Sequence, residues 1–107
     1  MSTIYLFSSA EVEPTPGSLM KQRRPDVVGA FVHCLVAAAN EVAAEAALRE
    51  ALAEDSYRLL SPGQVEAFHH YCGRGGRATQ RMRAAAWDLL IAGGVWYGPF
   101  FGFVTPG

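Results

Sequence analysis

Apolar positions along the chain change period several times, and each change marks an element. Residues 3–8, TIYLFS, form a short β-branched and aromatic run, which predicts a strand. Beyond it Pro14, Pro16, Gly17 and Pro25 interrupt a stretch with no steady period. That composition predicts a long, mobile connecting loop at about 9–25. Residues 27–39, VVGAFVHCLVAAA, are almost continuously apolar. Such a run fits a buried strand or a buried helix, and its Val, Phe and Gly content favours strand.

Asn40 is a natural helix N-cap, with Glu41 in the first turn where the helix dipole favours an acid. In the stretch that follows, Ala44, Leu48, Ala51 and Leu52 recur at i, i+4, i+7 and i+8, the period of an amphipathic helix with an acidic outer face. Residues 56–60, SYRLL, suit a short strand. SPGQ at 61–64 resembles a capping box, with Ser61 as cap and Pro62 in the first turn, and predicts a short helix to Cys72. Gly73 would close it, leaving His69 and His70 in the last turn. Met82, Ala85, Ala86, Leu89 and Leu90 predict a further helix from about 77–79 to Ala92, ended by Gly93. The sequence VWYGPFF and the GFV after it then read as a last strand, bent at Gly98-Pro99.

This order predicts an α+β domain over 1–107: a small ferredoxin-like sandwich, with an antiparallel or mixed sheet of about four strands and two main helices on one face. A chain of 107 residues that is half apolar and 18% charged can bury one core without staples. Cys34 and Cys72 make no disulfide framework, and IYLF is too short for a signal segment, so a cytoplasmic, reduced protein is expected. The last 19 residues carry no charge, but Gly93-Gly94 and Gly98-Pro99 punctuate them, so no membrane span is expected.

Net charge is −1, which gives no global field to recruit nucleic acid. The charge is nevertheless segregated. Residues 1–66 carry nine acids against five bases, and 67–107 carry Asp88 against four arginines, so −4 and +3 sum to the −1 of the whole chain. The basic residues, Arg74, Arg77, Arg81 and Arg83, surround GRGGRAT, a glycine-rich turn before a helix. They form either an anion-binding cradle or a basic face paired with Glu45, Glu50 or Glu54. His33, Cys34, His69, His70 and Cys72 hold enough donors for zinc, yet only His69 and Cys72 have ligand spacing. No metal, no cofactor and no catalytic residue is therefore assigned. Cys72, near Arg74, is the one candidate for a reactive thiol.

Trp96, Tyr97, Phe100, Phe101 and Phe103 fall within eight residues. Strand alternation sends neighbours to opposite faces, so part of this set should meet a partner. The expectation is a non-enzymatic interaction module of inhibitor, immunity or regulatory-subunit type. It would bind a protein partner or itself, as a homodimer, through the aromatic last strand and the basic helix. The alternative is a small-molecule enzyme or binding protein of the dimeric α+β barrel type, with a pocket near His33 and Tyr97.

Overall fold

Two twelve-residue strands, β1 (Thr3–Pro14) and β2 (Val27–Ala38), lie antiparallel at the centre of the sheet. The computed structural model describes residues 2–104. The remaining elements are α1 (Leu19–Arg23), α2 (Glu41–Glu54), β3 (Tyr57–Ser61), β4 (Gln64–Ala67), α3 (Phe68–Gly73), α4 (Gln80–Ala92), β5 (Val95–Tyr97) and β6 (Phe101–Val104). The fold is mixed α+β, with an antiparallel sheet of six strands and four helices among the described residues.

Six strands occupy four places. The sheet runs β3-β1-β2-β5, β4 continues the β3 side along β1, and β6 continues the β5 side along β2. This departs from the expected ferredoxin-like sandwich of four strands, because β1 and β2 pair directly as neighbours across the α1 connection. The helices also lie on both faces. Phe7, Cys34 and Val36 form one cluster with Ala44, Leu48 and Leu52 of α2. Ile4, Leu6 and Leu35, at the alternate positions, pack instead with Phe68 of α3 and with Met82, Ala86 and Leu89 of α4. Alternating side chains of one strand thus serve two cores, and each large side chain withdrawn from water contributes about 2–3 kcal/mol.

Two expected elements are corrected. The stretch at 9–25 is strand as far as Pro14 and carries α1, because Ala10 and Val12 are buried against α2 while Glu11 and Glu13 between them stay partly exposed. Ser18 caps α1, accepting from the Lys21 N–H at 3.1 Å, and the Lys21 ammonium donates to the Val27 carbonyl at 2.8 Å. The capping box at 61–64 does not form. Ser61 ends β3, Gln64 begins β4, and the helix starts only at Phe68, without a side-chain cap.

The cap predicted at Asn40 is present, whereas Gly73, expected to close the short helix, lies inside α3, whose C-cap is Arg74. The Asn40 side chain accepts from the Ala43 N–H at 2.8 Å, and the Thr79 hydroxyl accepts from the Met82 N–H at 3.1 Å. Gly93, at φ 73°, ends α4 in the left-handed conformation that favours glycine. Residues 27–38 are strand, as their Val, Phe and Gly content favoured.

Candidate functional site

A row of irregularities crosses the sheet at one level. The register of β1 against β2 slips between Phe7 and Ala10, and Ser9 takes φ 56°. Phe7 and Ala10 both face α2 although they are three residues apart, so this bulge keeps both buried on one face. His33 lies opposite the bulge and its Nδ1 accepts the Ser9 N–H at 3.0 Å. On one edge the break between β3 and β4 falls at Pro62-Gly63, where Gly63 sits against the Ser8 carbonyl. On the other, β5 ends at Tyr97 and β6 begins at Phe101, while the Gly98 N–H donates to the His33 carbonyl at 2.8 Å. Both edges therefore break beside the bulge row.

This row divides the face that bears α4. Above it Ile4, Leu6 and Leu35 are covered by α3 and α4. Below it the same face presents Phe31, Phe101 and Phe103, which are 41%, 63% and 37% exposed. Phe31 and Phe101 are direct cross-strand partners, and the Phe31 and Phe103 rings are 5.2 Å apart. The tip of the Phe103 ring rests over Gly29, where any side chain would collide with it. Between this aromatic floor and α4 lies a hollow of about 890 Å³, bordered by His33, Arg81, Asp88, Trp96 and Phe101. Beyond the hollow, α4 raises Trp87, Leu90 and Ile91 into solvent, 67%, 55% and 77% exposed.

The five aromatics singled out in the last strand separate. Tyr97 and Phe100 join the α2-side core, where Phe100 stacks on Tyr57 at 5.1 Å. Trp96 packs with the α4-side core. Phe101 and Phe103 face outward and are joined there by Phe31, which sequence reasoning placed only within a buried run. Trp87 and Ile91 were missed as well. Their signal was an off-stripe one: they lie away from the buried positions Met82, Ala85, Ala86 and Leu89.

His33 and Tyr97 both border the hollow, although Tyr97 pairs with Cys34 and its ring packs against the α2-side core. The Tyr97 hydroxyl is buried with no hydrogen-bond partner among the described residues, and burial raises its pKa above the ordinary phenol value.

The arginines separate too. Arg74 and Glu66 are joined by a hydrogen-bonded ion pair that includes an Nε contact of 2.9 Å, and the Arg74 guanidinium lies 5.2 Å from the Tyr71 ring centroid. His70 Nδ1 reaches the same carboxylate at 2.9 Å. Arg74, and then His70, hold the Glu66 carboxyl down to about 2. The glycine turn is not an open cradle: the amides of Gly75 and Gly76 donate to the Cys72 and Tyr71 carbonyls and close α3. Pairing of the basic residues with Glu45, Glu50 or Glu54 is also not what forms, since α2 and α4 cover opposite faces. Among the described residues Arg77, Arg81 and Arg83 make no ion pair.

No group of three or more His, Cys, Asp and Glu side chains converges on a metal-sized site among the described residues. Cys34 and Cys72 are free thiols. Burial pushes the Cys34 thiol up to about 12, which removes its nucleophilic form at neutral pH. No helix among the described residues is long and apolar enough to cross a membrane. Comparison with family models, curated proteins and solved structures finds no match to this chain.

Proposed function

We propose that the protein is a non-enzymatic interaction module, of inhibitor, immunity or regulatory-subunit type, that binds a protein through the uncovered half of the α4-side face. One observation carries this reading: Phe31, Phe101 and Phe103 of the sheet and Trp87, Leu90 and Ile91 of α4 are each more than a third exposed on the side of the sheet that bears α4, where Phe101 borders the hollow. Apolar side chains scattered singly need no explanation, whereas aromatics gathered on one surface are what interface cores use. The free thiols of Cys34 and Cys72 support a reducing, cytoplasmic setting.

A photo-crosslinking residue in place of Phe101, introduced in the native cell, tests the reading. Covalent capture of a protein, lost when Trp87 is also replaced by Glu, is the expected result. Capture of none, with a small ligand co-purifying in native mass spectrometry, would sink it.

A second reading is a small-molecule binding protein. The volume of the hollow favours it, being within the range of about 300–1,000 Å³ for ligand sites, with His33, Arg81 and Asp88 as its polar border. Both His33 and Tyr97 border the hollow, as this reading expects.

A further inference from the structure

We propose that the occupant of this surface is a second copy of the chain, in a two-fold dimer in which α4 of each copy lies in the hollow of the other. The inference rests on the interaction reading above and names its partner. Shape is the first argument. One half of the sheet face carries α4 as a ridge, and the other half, beyond the bulge row, is a hollow with an aromatic floor. A step of this form is self-complementary under a two-fold axis: turned over, the ridge of one copy fills the hollow of the other, and the contact closes at two.

Charge is the second argument, and it selects a copy over a foreign partner. Arg81 and Asp88 both border the hollow from the same side of α4, two helical turns apart. Neither has an ion-pair partner among the described residues. Nor does their own helix offer one at i±4: those positions are Arg77 and Ala85 for Arg81, and Ala84 and Ala92 for Asp88. When two such helices pair antiparallel about the midpoint between Ala84 and Ala85, Arg81 of each copy falls opposite Asp88 of the other. The alanines at the centre allow close approach. A ligand of single charge sign would meet one attraction and one repulsion on this wall, whereas a second copy meets two attractions.

Apolar area is the third. With α4 seated in the hollow, its outward Trp87 and Ile91 reach the floor of Phe31, Phe101 and Phe103. A standard interface buries roughly 800 Å² per partner, and these large exposed side chains supply its apolar centre. Edge-to-edge pairing of the last strand is the weaker route to a dimer. The edge is broken at Gly98-Pro99, where proline has no N–H to donate.

Sedimentation equilibrium of the intact protein, of Arg81→Asp, of Asp88→Arg and of the double variant tests the pairing. Both substitutions suit the helix dipole, an acid in the first turn of α4 and a base toward its end, so the helix is retained and circular dichroism verifies it. The expected result is a dimer for the unmodified chain, a dissociation constant at least tenfold higher in each single variant, and recovery in the double variant. A dimer indifferent to both single changes, or one weakened further by combining them, overturns the proposed pairing. So does an unmodified chain that stays monomeric at its highest soluble concentration. In that last case, capture of a different protein from Phe101 leaves the interaction reading standing, and capture of none removes it as well.

Discussion

The Ser9 N–H donates to Nδ1 of His33 across 3.0 Å, between residues 24 apart in the chain. The bulged amide of β1 thereby finds an acceptor that is not a strand carbonyl. Accepting at Nδ1 places the proton of the neutral ring on Nε2, the nitrogen left free to donate. Nitrogen NMR should find the Nε2–H tautomer in the neutral ring. In urea denaturation, His33→Leu should cost about 1 kcal/mol, the net worth of the lost hydrogen bond. Ser9→Gly keeps the amide and relieves the φ of 56°, so it should stabilise by up to about 1 kcal/mol.

Gly63 is the position in the bulge row least open to change. It has φ 69°, and a Cβ there would run into the Ser8 carbonyl, which is backbone and has no room to yield. Gly63→Ala should therefore cost more than the ~1 kcal/mol expected from left-handed strain alone. Gly73, whose added Cβ would meet nothing, is the control: Gly73→Ala, within α3, should be neutral or slightly stabilising. Equal loss of stability in the two variants would show that the Ser8 contact has no special weight.

The clasp of Glu66, Arg74 and His70 ties β4 to the end of α3 and gives the fold an acid-dependent component. The folded carboxyl titrates at about 2 against an ordinary value of 4.5, so between these values the unfolded chain binds more protons. Stability from this group is present in full above pH 4.5 and is lost as pH falls through about 2. Melting temperature followed across this window should fall less steeply in Glu66→Gln than in the unmodified protein. Parallel profiles would mean that the clasp contributes nothing to the acid response.

The unpartnered Tyr97 hydroxyl makes the opposite kind of prediction. A buried O–H with no acceptor is a desolvation cost that the ring does not need for its contact with Phe100 at 5.7 Å. Tyr97→Phe should leave the fold intact and raise stability by about 1 kcal/mol in chemical denaturation. A loss of stability instead would reveal a hydrogen bond to that oxygen.

Phe7 is fully buried and sits beside the bulge, in the cluster completed by Leu48 and Leu52. Phe7→Ala should cost about 3–5 kcal/mol, a large share of what a chain of this size has to spare. Phe101→Ala, at 63% exposure, should barely move the denaturation midpoint while weakening whatever the aromatic floor binds.

By itself the sequence determined the elements whose signals are local. Asn40 caps α2 because a side-chain oxygen three residues before an amide needs nothing else to bond it. Gly93 stops α4, and Gly98-Pro99 interrupts the last strand, for equally local backbone reasons. The strand through 9–14 was hidden by a slip of phase. Tyr5 and Phe7 keep one alternation, Ala10 and Val12 keep the next, and only a bulge held by His33 from another strand joins them. The capping pattern at Ser61 was locally sound, but pairing of Gln64 with Ser8 of β1 took that backbone into the sheet. Tertiary structure alone decided which face each helix covers, and hence that Arg81 stands away from the acids of α2 and that Phe31 and Phe101 meet on an open floor. The physical reason is that caps and turns are satisfied within a few residues. Facing and register depend instead on pairings across tens of residues, where a shift of one position exchanges core for surface.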